Sequence, residues 1–306
     1  MIGDEVTAPP LPSLSQWRSY LELTKPKVVT LITFTSLVGT LLASSALPRW
    51  NVMLWSALGI ALASGCAATI NHVIDQRTDA TMARTRARPL PMGRVTPRNA
   101  MVFAVLLGGA AMLILAGLVN VLTAAVTLSS LIGYAVIYTG WLKRATPQNI
   151  VIGGAAGAAA PVLGWISVTN SIDPGALTLF LIIFLWTPPH FWALAIARRA
   201  DYARAGIPML PVVHGIEYTK RRVLAYTLAL SLVTLIPFLT RMSGIIYLLA
   251  ALALNARFVY YALALHFRGG AKLPMQVFKF SVTYLMWLFA ALLIDHYLPT
   301  TQIRPV

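Results

Sequence analysis

The chain has 306 residues, 58% of them hydrophobic and 11% charged, with a mean hydropathy of +0.73 and a formal net charge of +15. A soluble domain carries roughly a quarter charged residues, so this composition excludes a water-facing globule and places the chain in a lipid bilayer. The single cysteine, Cys66, excludes an internal disulfide and any multi-cysteine metal site.

Residues 1–27 form a polar, proline-containing N-terminal segment with no apparent secretory signal. A membrane helix needs roughly 20 mostly apolar residues. Such stretches are predicted at 28–47, 52–73, 100–118, 121–140, 149–168, 176–197, 222–240, 243–267 and 276–297. They read as one all-α transmembrane domain over 28–297, followed by a tail at 298–306. The third and fourth spans meet at Leu118-Val119-Asn120, which predicts a tight hairpin. "GGAAGAAAP" at 153–161 predicts close helix approach, and Pro188-Pro189 predicts a local break in the sixth span. All of the 24 Lys and Arg residues except Arg49, Arg241, Arg257 and Arg304 collect on one side of this topology. That asymmetry predicts a cytoplasmic N terminus and an external C-terminal tail. It also accounts for the basic charge without nucleic acid. Arg257 falls within a span, where a charge is expected to face a cavity or an internal partner.

The loops 74–99 and 198–221 lie on the same predicted cytoplasmic side. The first opens in "NHVIDQRTDATMARTRARPL", which places Asn71, Asp75 and Asp79 at i, i+4 and i+8. On an α-helix all three share one face, with about 80° of drift from first to last. Two carboxylates and an amide on one stripe are hard oxygen ligands suited to Mg2+, which usually shares its shell with substrate phosphates. Arg84 and Arg88 repeat the i, i+4 spacing before Pro89 interrupts it, and guanidinium groups bind phosphate bidentately. Acids for a metal beside bases for phosphate suit a diphosphate leaving group. Polar helix exits and Arg-rich loops also follow from topology alone, but the regular stripe favours function. Asp201 in "DYARAGIPMLP" occupies a comparable place after the sixth span and would bring a second polar loop over the same bundle. His72, beside the stripe, is expected to point away from it.

At these residues the sequence resembles the UbiA-type intramembrane prenyltransferases, whose first signature is N-x3-D-x3-D. Within that superfamily it is most similar to the branch that farnesylates haem. The similarity rests on "LTKPKVV" at 23–29, "MARTRARPL" at 82–90, "YTGWLKRATPQNIVIGGAAGAAAPVLGW" at 138–165, "WTPPHFWALAI" at 186–196, "DYARAGIPMLPVV" at 201–213 and "FKFSVTYL" at 278–285. A second D-x3-D motif common in the superfamily is missing here, because Ala205 stands four residues after Asp201 and Ala200 precedes it.

The resemblance implies a polytopic bundle of about nine transmembrane helices in a bacterial inner membrane, with its active site toward the cytoplasm. The implied reaction moves the farnesyl group of farnesyl diphosphate to a vinyl group of haem b, adds water, and gives haem O. Asn71, Asp75, Asp79 and Asp201 would be the catalytic and Mg2+-binding residues. Lys25, Arg84, Arg88, Lys143, Arg144 and Arg204 would hold the diphosphate. Tyr134, Tyr138 and Trp141 would offer aromatic faces to an allylic cation. His190 could ligate haem iron, contact a propionate or hydrogen-bond within the bundle, and His214 is a weaker candidate of the same kind. A haem A synthase or haem–copper oxidase assembly factors are the protein partners suggested. The same chemistry on a quinone precursor is the alternative acceptor. A transporter is the alternative class, disfavoured because transporters place ionisable groups near the midplane and these acids gather at one face.

Overall fold

A computed structural model describes residues 14–298, and all regular structure among them is helical. The predicted segments 1–13 and 299–306, Arg304 included, lie outside the described residues. In chain order the helices are α1 Leu14–Leu23, α2 Pro26–Leu42, α3 Trp50–Thr81, α4 Pro97–Leu118, α5 Val121–Ala145, α6 Asn149–Thr169, α7 Pro174–Ala197, α8 Arg199–Arg204, α9 Leu210–Val213, α10 Ile216–Leu239, α11 Ile245–Phe267 and α12 Leu273–Tyr297. Eight are long and apolar enough to cross a membrane, or nine if α1 and α2, bent by 49° against each other, count as one span. The eight predicted spans from 52–73 onward are therefore present, and the first falls on α2. The main extension is α3, which continues to Thr81 and so carries the whole acidic stripe on regular helix.

Chain direction alternates from span to span. The α1–α2 bend and loops 82–96, 146–148, 198–215 and 268–272 consequently share one membrane face. The hairpin at Asn120 forms as predicted: its side chain accepts from Thr123 N at 2.7 Å and donates to the Ile166 carbonyl at 2.9 Å.

Lipid supplies no hydrophobic drive between helices, so packing depends on close approach and on satisfied polar groups. Helices α2 and α6 approach so closely that a Cβ on Gly164 would collide with the Ser36 carbonyl, and one on Gly39 with the Pro161 carbonyl. Gly153 likewise leaves room for the Tyr138 ring. The small residues of 153–164 thus serve packing. Two buried polar devices fix the far half of the bundle. Asp295 accepts from the backbone N–H groups of Gly244, Ile246 and Tyr247, capping α11. Asn255 donates to Thr234 Oγ1 at 2.9 Å and accepts from Tyr284 Oη at 2.7 Å, joining α10, α11 and α12.

Three expectations need correction. Helix α7 runs unbroken through Pro188 and Pro189, because membrane helices tolerate proline where neighbouring groups take up the freed carbonyls. Arg257 does not face the bundle: it is exposed, with its guanidinium 5.6 Å from the Tyr261 ring and 5.7 Å from the Phe280 ring. Residues 82–95 form successive turns rather than a helix, so turns and not a helical i, i+4 face set Arg84 and Arg88, both of which neighbour Tyr202.

Candidate active site

The acidic stripe lies at the end of α3 where it meets the face that carries the long loops. Asn71, Asp75 and Asp79 are all buried, at 5%, 1% and 4% exposure. Each is engaged by a cation that the sequence had marked. Lys25 stands in the α1–α2 bend with a left-handed backbone (φ 53) and donates from Nζ to Asn71 Oδ1 at 2.5 Å. Lys143, at the end of α5, lies 2.5 Å from Asp75 Oδ2, and Arg144 lies 3.7 Å from Asp75 Oδ1. Arg88 pairs with Asp79 Oδ2 at 2.6 Å. Burial first, and then the Arg88 and Lys143 cations, lower the Lys25 ammonium from 10.5 to about 7.

The α5 partners reach the stripe through an irregularity. Residues Gly133–Leu142 wind as a π-helix, in which each turn takes in about one residue more than an α-turn. Thr139 Oγ1 accordingly donates to the Tyr134 carbonyl at 2.9 Å and accepts from Asn71 Nδ2 at 3.1 Å. Asn71 Nδ2 also donates to Asp75 Oδ2 at 2.9 Å. The wider turn brings Tyr134, Tyr138, Thr139 and Lys143 onto one side. Tyr134 and Tyr138 stack at 5.5 Å and 29°, and Asp75 is an ionisable neighbour of both. Trp141 is not part of this wall; it points outward and is 66% exposed.

The second loop contributes differently from expectation. Asp201 is buried, at 8% exposure, and pairs with Arg204 at 2.5 Å. Among the described residues no three His, Cys, Asp or Glu side chains converge as a metal-holding group, and the cation on Asp201 is Arg204. Its neighbour Tyr202, which the sequence reading passed over, makes the bridge. Tyr202 is buried and has Arg84, Arg88 and Tyr138 as ionisable neighbours. Burial pushes its phenol up, against the opposing pull of Arg84. Adjacency to Asp201 was the available signal.

His72 also departs from expectation. About 20° around α3 from Asp79, it is 2% exposed, has Lys25 and Arg88 as charged neighbours, and finds no hydrogen-bond partner for either ring nitrogen among the described residues. His190 lies deeper. Its Nδ1 meets Ser281 Oγ at 2.6 Å and its ring stacks on Trp186 at 4.3 Å and Phe278 at 4.5 Å. His214 is exposed and tilts against Tyr218 at 5.1 Å.

Buried carboxylates at one membrane face, ringed by cations and stacked phenols, can hold a divalent metal and an anionic leaving group at the top of an apolar bundle. The chain belongs to the UbiA prenyltransferase family, which it matches over residues 32–292. It is a multi-pass membrane protein of the prenyltransferase class. A relative named protoheme IX farnesyltransferase, from Azotobacter vinelandii, is 58% identical over 285 residues, covering 93% of this chain and 95% of the relative. The solved structure of a digeranylgeranylglyceryl phosphate synthase shares the fold with a TM-score of 0.78 at 17% identity, covering 93% of this chain and 99% of that one. A UbiA homologue from Archaeoglobus fulgidus bound to DMAPP and Mg2+ shares it at 0.62, also at 17% identity, covering 90% and 99%.

Proposed function

We propose that this chain transfers the farnesyl group of farnesyl diphosphate to a vinyl group of haem b, with addition of water, to give haem O and diphosphate. The reading of the site rests on one observation: Asp75 and Asp79 are buried on one stripe of α3 with Lys143 and Arg88 already upon them, and Lys25 on the adjoining Asn71 carboxamide. The choice of acceptor is supported by the high identity to relatives named for protoheme.

The donor set suits Mg2+. Asp75 Oδ1 is buried without a hydrogen-bond partner among the described residues and has only Arg144 at 3.7 Å, so an oxygen is left to ligate. Asp75 and Asp79, with the Asn71 carboxamide, would hold the ion. Bound there, Mg2+ would supply Lewis-acid neutralisation of the diphosphate charge.

The chain's own residues do the rest. Arg88, Lys143 and Arg144 turn from carboxylate, and Lys25 from the Asn71 carboxamide, to phosphate oxygens and gather the negative charge that grows as the allylic C–O bond breaks. Tyr202 holds Arg84 at the mouth, and Arg204 on Asp201 extends the cationic rim. The stacked faces of Tyr134 and Tyr138 stand beside the carbon that becomes positive, where each face contributes about 0.5–2 kcal/mol. Burial keeps bulk water from capturing that cation. The vinyl carbon of haem then bonds to the farnesyl carbon. Water adds to the carbon next to the ring and a proton leaves, which balances the reaction. The loops that carry the site are the basic ones, so the site faces the cytoplasm across a bacterial inner membrane. A haem A synthase would be the consumer of the product.

The purified protein in detergent, given farnesyl diphosphate, Mg2+ and either haem b or 4-hydroxybenzoate, tests the acceptor. Haem O from the first mixture and no prenylated benzoate from the second is the expected result. The reverse pattern would overturn the assignment while keeping the diphosphate site.

A further inference from the structure

Arg257 has no role in the chemistry above, and its position is unusual. It stands 12 residues from Ile245 and 10 from Phe267, the ends of α11, hence roughly 15 Å from the nearer end. An arginine side chain does not span that distance, so the guanidinium stays within the hydrocarbon layer even when it extends toward the interface. It is exposed, and no ion pair among the described residues includes it. Its contacts are the Tyr261 hydroxyl at 3.5 Å and two aromatic rings. A charge at that depth marks a functional position by default and calls for a partner.

The surface around it is shaped for a helix. A groove of about 320 Å³ runs between α11 and α12, with Ala250, Ala253 and Ala291 at its floor among Ile246, Leu254, Trp287 and Ile294. Residues 250, 253, 254, 257 and 261 fall on one face of α11, and 280, 287, 291 and 294 on one face of α12. Arg257 and Phe280 therefore lie on the same helix faces as the groove, one to two turns beyond its lining. Small residues of this kind let a transmembrane backbone approach closely.

The missing counter-charge does not come from a second copy. Of the nine acidic residues, only Glu22, Asp75, Asp79, Glu217 and Asp295 fall within the helices that make up the spans, and Glu22, in α1, pairs with Arg94 at 3.4 Å. Asp75 and Asp79 are buried in the site, Glu217 opens α10 and pairs with Lys220, and Asp295 is buried capping α11. We propose that the α11–α12 groove docks a transmembrane helix of a different membrane protein that presents a carboxylate to Arg257 at mid-bilayer.

The test reconstitutes the full chain in phosphatidylcholine vesicles with biotinylated leucine-rich transmembrane peptides carrying one central Glu, Gln or Lys. Retention of the chain on streptavidin is read, with detergent-phase elution and helical circular dichroism confirming that each variant is folded. The Glu peptide should retain wild type about three- to tenfold better than the Gln peptide, the range expected for one interhelical polar contact. Arg257→Gln should erase that preference, and Arg257→Glu should move it to the Lys peptide. Equal retention by Glu and Gln peptides, or a Glu preference that survives Arg257→Gln, would overturn the proposal. Loss of the preference when phosphatidylglycerol replaces phosphatidylcholine would overturn it in favour of a lipid phosphate. Self-association of wild type that Arg257→Gln abolishes would overturn it in favour of a second copy.

Discussion

Asp75→Asn isolates charge from shape at the centre of the site. The amide fills the same volume and still offers an oxygen to Asn71 Nδ2, which now bonds Asp75 Oδ2 at 2.9 Å. What disappears is one negative charge facing Lys143 at 2.5 Å and Arg144 at 3.7 Å. A unit-charge contact near 4 Å at an effective dielectric of about 20 is worth about 4 kcal/mol. Removed from transition-state stabilisation, that amounts to about a 10³-fold fall in turnover. Stability also falls, because Lys143 is left among Lys25 and Arg88. Breaking one side of a buried pair costs about 3–5 kcal/mol, and the 15% access of the Lys143 side chain places the loss at the low end. The double variant Asp75→Asn/Lys143→Met should therefore recover most of the unfolding temperature and none of the turnover. Haem O formation by chromatography and thermal unfolding in detergent measure the two quantities. Retention of more than roughly a tenth of wild-type turnover by Asp75→Asn, or recovery of turnover in the double variant, would refute the reasoning.

Three further outcomes follow from the same geometry. Lys25 is held at about 7 in the folded chain against 10.5 unfolded. Between those values the unfolded chain binds the extra proton, so stability rises with pH. The cation offered to diphosphate is lost as pH climbs through about 7, so kcat/KM for farnesyl diphosphate should fall there, and Lys25→Arg should flatten that limb. Arg84→Gln and Tyr202→Phe remove the two members of one neighbouring pair. Each should raise KM for farnesyl diphosphate by a similar factor, and the double variant should be no worse than either alone. Gly164→Ala drives a methyl into the Ser36 carbonyl while Gly157→Ala meets open space. The first should therefore lose about 1–3 kcal/mol of stability in detergent unfolding and the second should be neutral.

The spans were legible because hydropathy over twenty residues is a strong signal in lipid, and the α3 stripe because carboxylates at i, i+4 and i+8 keep one face wherever the helix continues. Lys25, Arg88, Lys143 and Arg144 were legible as charges but not as partners of particular acids, since no spacing links Lys25 to Asn71 across 46 residues. The π-helical turns at Gly133–Leu142 left no trace in the hydrophobic pattern, and without them Thr139 has no reason to face Asn71. Trp141 was misplaced because an aromatic near a helix end reads alike whether it lines a cavity or meets the lipid interface. Arg257 was expected inside because charge in a span usually faces protein; its outward setting depends on how α11 is rotated against α12, which composition does not encode. Arg84 and Arg88 are set by turns because the chain leaves the helix at Met82, earlier than the i, i+4 spacing implied.

A crystal structure with Mn2+ in place of Mg2+ and a non-cleavable thiolo analogue of farnesyl diphosphate tests the central claim most directly. Anomalous density lying against Asp75 and Asp79, with Lys143 and Arg88 swung from those carboxylates onto phosphate oxygens, is the result the account predicts. A diphosphate bound elsewhere in the bundle, with Lys143 still paired to Asp75 and Arg88 to Asp79, would contradict it.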